Sequence, residues 1–365
     1  MAAERAEAER IFALFQAAGA VPVTADILQP ADMLLDLYGE DIRARAYTTH
    51  DPLHGEMMLR PDFTLPVVQM HMAGGANPAR YTYMGEVFRK QNEGSGRARE
   101  YLQVGYEVFD RGPPAAADAE VFALFHGLLA PFGLRAATGD IGILMAAVRG
   151  LATTDRRRAA LLRHIWRPRR FRALLDRFAG REAPPATRTR LLATLAGAPA
   201  DDLIAAAGSF IGLRSPAEIS DRVADLLADA ATPPIPPAEV AIIDDILTLR
   251  QKSPDALERL RDIAVDMPRI VPAVARMEAR LTAIAARGVD VAALDFEAAY
   301  GRTALEYYDG FVFGFYAEAR PDLPPVASGG RYDALTAVLG KGRSITAVGG
   351  VIRPALLAAL RGGQA

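Results

Sequence analysis

The sequence predicts an α+β core split by a mostly helical insertion. Three observations carry this. Residues 1–150 mix helical periodicity with short runs of alternating, strand-like character. Residues 151–290 turn rich in Ala, Leu, Arg and Asp, with few β-branched or aromatic residues. Residues 291–365 return to strand texture in "LEYYDGFVFGFYAE", "LPPVASGGRYDAL" and "ITAVGGVIRPALLAAL". With no tandem repeat, the simplest organisation is one core formed by 1–150 and 291–365, interrupted at 151–290.

Taken in order, "ERIFALFQAAG" is an amphipathic helix with Gly19 as its stop. "RARAYTTHD" and "GEMMLRP" read as two strands about a turn at Pro52 to Gly55, and "TLPVVQMHMA" as a short helix. "RYTYMGEVFRK" and "REYLQVGYEVF" are strands joined by the polar "QNEGSGRA". "DAEVFALFHGLLAPFG" is a helix for which Asp118 is a plausible cap. Within the insertion, "EAPPATR" and "ATPPIPP" break helices. Its arginine stretch "DRRRAALLRHIWRPRRFRALLDRF" suits a helix pair whose stems pack on apolar neighbours and whose heads meet acids or a partner subunit; a nucleic-acid patch is the competing reading.

The bulk numbers narrow the function. The 365 residues are 51% hydrophobic and 24% charged, with a net charge of −2. Nothing global draws such a chain to nucleic acid or to an anionic membrane. Cysteine is absent, which excludes disulfides and thiolate metal sites and fits a cytoplasmic protein. The charged N-terminus does not read as a signal peptide, and no apolar run reaches the roughly 20 residues that span a bilayer. His50 and His54 are four apart but lie in a turn, so no metal site is expected. No cofactor is expected either.

Chemistry concentrates in a few stretches. In "YLQVGYEVFD" one strand face carries Leu102, Val104, Tyr106 and Val108, and the other carries Gln103, Gly105 and Glu107 between aromatic ends. "LRPDFT" sets Asp62 and Thr64 beside a proline turn, "EVFRKQ" sends Arg89 off a strand, and "LEYYDG" presents Tyr307 and Tyr308 to opposite sheet faces. In "SGGRYD", Gly329 and Gly330 allow close backbone approach to a ligand. If these strands are neighbours, they form a cup with acceptors at Gln103, Glu107 and Asp62, hydroxyls at Thr64 and Tyr308, and a charged fork at Arg89. That set suits a small zwitterion.

"EVFRKQNEGSGRAREYLQVGYEVFD" resembles motif 2 of class II aminoacyl-tRNA synthetases, and in detail that of histidyl-tRNA synthetase. "LRPDFT" is similar to that family's Leu-Arg-Pro-Glu-x-Thr, "ALEYYDGFVF" and "VASGGRYDAL" to its two histidine signatures, and "AVGGVIRPALL" to a degraded motif 3. "QPADMLLDLYGED" stands where motif 1 belongs. The resemblance covers roughly 1 to 150 and 295 to 360. It implies a class II synthetase-like antiparallel sheet flanked by helices. It also implies a histidine site of Asp62, Thr64, Arg89, Gln103, Glu107, Tyr307 and Tyr308, in which Asp62 is one methylene shorter than the family's glutamate.

The nucleotide side departs from that family. Thr303 stands where the family has arginine, with Arg302 turned to the other face if the segment is a strand. Gln91 and Ile352 replace glutamates, and Pro354 follows the retained Arg353. No anticodon-binding domain is expected after "RPALLAALRGGQA". A histidine cup without activation chemistry resembles the regulatory subunits of ATP phosphoribosyltransferase, paralogues of the synthetase. That resemblance implies a non-catalytic protein that activates the short-form catalytic subunit and mediates histidine feedback inhibition in the first step of histidine biosynthesis. The implied partners are that catalytic subunit, a second copy in a dimer within a hetero-octamer, and histidine as effector, with no nucleic acid and no membrane. Two other functions fit parts of the sequence: a short histidine-adenylating enzyme, if Arg302 serves for Thr303, and an RNA-binding module built on the arginine stretch.

Overall fold

The computed structural model describes residues 2–31, 46–91, 97–208, 212–302 and 307–362. It divides into two compact units, one of residues 1–146 with 246–365 and one of residues 147–245.

The larger unit is built on a nine-stranded sheet. Its strands are β1 (Val21–Pro22), β5 (Ala79–Phe88), β6 (Glu100–Phe109), β7 (Arg135–Asp140), β8 (Arg250–Lys252), β9 (Asp295–Glu297), β10 (Phe311–Tyr316), β11 (Ala327–Arg331) and β12 (Ala347–Ile352), in the order β1-β5-β6-β12-β11-β10-β7-β9-β8. All pairs are antiparallel except β1 with β5 and β7 with β9. A second sheet of β2 (Leu28–Pro30), β3 (Thr48–Asp51) and β4 (Gly55–Leu59) contains the hairpin expected about Pro52 to Gly55. The motif 1 segment and the 92–96 loop fall mostly or wholly outside the described residues, as does Thr303.

The alternation along β6 has the consequence read from its sequence. Leu102, Val104, Tyr106 and Val108 enter a core with Ile11 and Phe15 of the Ala2–Ala17 helix and Phe122 and Phe125 of the Pro114–Leu129 helix. Burying each such aromatic or branched side chain is worth roughly 1.5–3 kcal/mol. Gly19 ends the first helix with φ +91°, a backbone region that glycine enters without a Cβ penalty.

Asp118 is not a cap. The Pro114–Leu129 helix begins a turn earlier, with Pro114 in its first position, and places Asp118 in its interior at 2% exposure. There it joins a buried ion cluster. Arg331 Nη2 donates to Asp118 Oδ1 (2.6 Å), Arg280 Nη1 to Asp118 Oδ2 (3.3 Å) and Arg280 Nη2 to Asp140 Oδ2 (2.7 Å). This cluster also moves the expected boundary of the insertion. Arg280 belongs to the Val271–Ala285 helix, which the sequence placed outside the core. That helix packs on Pro114–Leu129, so residues 246–290 join the sheet-bearing unit.

With its terminal 3-10 turn, the same Pro114–Leu129 helix makes an apolar stretch of 19 residues to Phe132, longer than the sequence reading allowed. Val121, Phe122, Phe125 and Leu129 are in the core and Asp118 is ion-paired, so its apolar character is that of a core helix.

The smaller unit is helical among the described residues, with helices Asp155–Arg163, Pro168–Phe178, Ala186–Ala196, Ala200–Ala206 and Pro216–Ala231. Leu161, Ile165, Phe171, Leu175 and Phe178 are its buried seam. Thr154 caps the first helix, and Ser215 with Glu218 forms a capping box on the last.

Candidate functional site

A cavity of about 750 Å³ opens in the larger unit, on the sheet face opposite the aromatic core. Six of the seven residues expected there line it: Asp62, Thr64, Arg89, Gln103, Tyr307 and Tyr308. Glu107 does not. It lies one layer beneath, 1% exposed, and is reached through hydroxyls.

Each side chain arrives by a local cause. The Pro61 turn leads into the Thr64–Gly74 helix, whose first turn presents Thr64, while Asp62 Oδ1 accepts from Leu65 N–H at 3.4 Å. Arg89 follows the end of β5, and its Nε donates to Pro61 O at 2.8 Å, tying the strand end to that turn. Gln103 and Glu107 project from β6 with period two. Tyr307 and Tyr308 do not alternate as expected: they precede β10, which starts at Phe311, and lie outside any strand. Without the pleat both rings face the same cavity, edge to face at a centroid distance of 4.8 Å.

Beneath the cavity, Glu107 collects three hydroxyl donors. Thr64 Oγ1 donates to its Oε1 at 3.0 Å and Tyr83 OH to the same oxygen at 2.9 Å, while Tyr332 OH donates to Oε2. Tyr307 OH extends the chain, donating to Thr64 Oγ1 at 3.3 Å. Burial pushes the Glu107 carboxyl up to about 7; the three hydroxyls pull it back and nearby Asp62 adds to the rise. Two glycines make this packing possible. A Cβ on Gly349, the cross-strand partner of Glu107, would sit 1.5 Å from Glu107 Oε2. A Cβ on Gly105, the partner of Tyr83, would sit 2.1 Å from the Tyr83 ring. Gly105 therefore serves a tyrosine, and the lining glycines are Gly301, Gly349 and Gly350 rather than Gly329 and Gly330.

Gln103 is the most telling group in the cavity. It is wholly buried, yet neither its Oε1 nor its Nε2 has a hydrogen-bond partner. An unpaired buried amide costs roughly 1–3 kcal/mol, and a ligand carrying one donor and one acceptor relieves it.

Positive charge occupies another part of the lining. Arg89, Arg97 and Arg353 are there with Lys90 and Arg250. Burial lowers the Arg353 pKa, and the nearby Arg89 charge adds to that effect; its Nη1 donates to Pro325 O at 2.5 Å. Such a pair of guanidinium groups attracts an anion. Arg302 is buried in a turn, not a strand, so the face-switching argument for it does not apply. Arg60, in the same "LRPDFT" stretch, is structural: its Nε donates to Glu86 O at 2.8 Å and its guanidinium lies 4.0 Å over the Phe63 ring.

Sequence reasoning missed Tyr83 and Tyr332, and it counted Arg353 only as a remnant of motif 3. Tyr332 sits within "SGGRYD" and Arg353 within "VIRPALL", so both motifs pointed to the neighbourhood. What sequence lacks is the pairing of β12 with both β6 and β11 that brings them beside Glu107.

A family model described as histidyl-tRNA synthetase matches residues 1–232 and 220–355. The ATP phosphoribosyltransferase regulatory subunit of Agrobacterium fabrum is 34% identical over 345 residues, covering 90% of this chain and 89% of its own length. That of Allorhizobium ampelinum is 32% identical, covering 92% of each. A crystal structure from Bacillus halodurans, described as an ATP phosphoribosyltransferase regulatory subunit/histidyl-tRNA synthetase, superposes with TM-score 0.68 at 19% identity, over 98% of this chain and 79% of that one. Histidyl-tRNA synthetase from a Nostoc species gives TM-score 0.64 at 17% identity, over 99% and 72%. The fold is thus the class II synthetase fold of the histidyl type.

Proposed function

Since the chain belongs to the family of ATP phosphoribosyltransferase regulatory subunits, we propose that it activates a short-form catalytic subunit of that enzyme and carries its histidine feedback inhibition. Its place in histidine biosynthesis follows from the family. The cup is its histidine site, and the chain has no catalytic activity of its own.

One observation supports the histidine reading above the others: the orphaned amide of Gln103, aimed into a cavity that also holds a carboxylate, hydroxyls and arginines. An amino acid with an imidazole side chain satisfies these groups together. Asp62 and the hydroxyl chain on Glu107 accept from its N–H groups, Gln103 both accepts and donates, and Arg89 with Arg353 holds its carboxylate. Glu107 acts through Thr64, Tyr83 and Tyr332, which it holds in place. The chain works as a dimer within a hetero-octamer with the catalytic subunit. An effector shifts such an assembly only by binding one of its states more tightly than another.

Calorimetric titration with histidine tests the site directly. Saturable binding is expected, weakened about tenfold or more in Gln103→Ala. Equal histidine affinity in the two proteins contradicts the assignment. The retained arginines of the cavity favour one second reading, a histidine-adenylating enzyme. Measurable ATP–pyrophosphate exchange with histidine supports that reading and removes the non-catalytic one.

A further inference from the structure

Several arginines of the helical unit meet acids, in line with the packed-face reading. Arg157, 7% exposed, is consumed inside the fold: its Nε donates to Asp229 Oδ1 at 2.7 Å and its Nη2 to Asp229 O at 2.6 Å, with further bonds to the carbonyls of Thr232 and Pro233. Arg188 takes the other oxygen of Asp229 at 2.7 Å, and Arg156 pairs with Asp225. Arg158 pairs with Asp155, and Arg172 and Arg181 with Asp244.

Three arginines outside these pairings gather in one place. Arg163, His164, Arg177 and Arg222 line a cavity of about 420 Å³, together with the paired Arg156, Arg157 and Arg188. The acids facing it are Asp225 and Asp229, both already engaged. Six guanidinium groups thus stand against two carboxylates. His164 Nδ1 is buried there without a hydrogen-bond partner. Burial and the like charges of Arg188 and Arg157 depress the Arg177 guanidinium, although Asp229 acts the other way. The Arg177 and Arg157 guanidiniums lie 4.8 and 5.1 Å from the centre of the Phe178 ring, which gives the site an aromatic wall.

We propose that this cavity binds a small phosphate-bearing anion, with Arg163, Arg177 and Arg222 as its phosphate forks and His164 as an additional donor. Planar guanidinium groups match phosphate oxygens in pairs, and a half-open hollow on which several of them converge suits a compact polyanion. A nucleic acid, whose charges are spaced along a strand, asks for an extended stripe instead.

Titration of the full chain with pyrophosphate, orthophosphate and sulfate at constant ionic strength tests this. Pyrophosphate is expected to bind saturably at one site and more tightly than sulfate, with about tenfold or greater loss in Arg163→Gln and in Arg177→Gln. Neither side chain makes a hydrogen bond among the described residues, and an unchanged thermal midpoint confirms that both variants are folded. Saturable binding of orthophosphate as tight as that of pyrophosphate identifies a single-phosphate ligand; tighter pyrophosphate binding identifies a diphosphate, and either outcome supports the site. Absence of saturable binding overturns the proposal. So does loss in Arg89→Gln with none in Arg163→Gln and Arg177→Gln, which puts the anion in the cup. Binding of an RNA oligonucleotide through these arginines, without pyrophosphate binding, also overturns it.

Discussion

Glu107, 1% exposed, gathers three hydroxyls, and its protonation couples the cup to pH. Its carboxyl is held at about 7 in the fold, against an ordinary 4.5. The folded protein therefore retains a proton that the unfolded chain releases between those values. That proton stabilises the fold fully below pH 4.5, and the contribution is lost as pH rises to about 7, amounting to roughly 3 kcal/mol from the width of the interval. Thermal midpoints measured from pH 4.5 to 8 should fall across that window in the native protein and run flatter in Glu107→Gln. Parallel profiles would place the titration elsewhere. Gly349→Ala sets a methyl group 1.5 Å from Glu107 Oε2, between strands with no slack. It should lower the thermal midpoint and weaken histidine binding together, whereas Gln103→Ala should affect binding without loss of stability. At this scale the sequence was informative wherever a residue sat in a motif of its own: Asp62, Thr64, Arg89 and Gln103 are where their motifs placed them. It erred on depth, because period-two alternation assigns Glu107 to a face but cannot say that Thr64 and Tyr332 stand above it.

The elements were legible to the extent that periodicity decides them. The β5–β6 hairpin, the Thr64–Gly74 helix and the first helix with its glycine stop follow from alternation, amphipathicity and turn chemistry. The two misreadings have different origins, a tertiary contact that overrides a local signal and a strand that starts later than its texture suggests. Asp118 has the residue type of a cap, but Arg280 and Arg331, 162 and 213 residues away, draw it into the core. Tyr307 and Tyr308 precede a strand rather than continue it, so both rings serve one cavity. The ion cluster gives a sharp test. Asp118→Ala leaves two nearly buried guanidinium groups without their shared acid, a change that costs about 3–5 kcal/mol. Chemical denaturation should show a loss of that order, and a loss under 1 kcal/mol would mean that the cluster relaxes into solvent.

For the whole molecule, composition and texture gave the split core and the family resemblance gave its fold. The limits of the insertion were not legible. Residues 246–290 share the helical texture of the segment before them, and the pairing of β8 with β9 and the packing of Val271–Ala285 on Pro114–Leu129 assign them to the sheet-bearing unit. The functional reading rests on a cavity proposed as a histidine site in a chain whose relatives are named ATP phosphoribosyltransferase regulatory subunits. It is tested most directly by the ATP phosphoribosyltransferase activity of a short-form catalytic subunit, assayed alone and mixed with this chain, across a histidine titration. Activity that appears only in the mixture and is inhibited by histidine, with a weaker response in the Gln103→Ala mixture, is the predicted result. A mixture no more active than the catalytic subunit alone, or one indifferent to histidine, would contradict it.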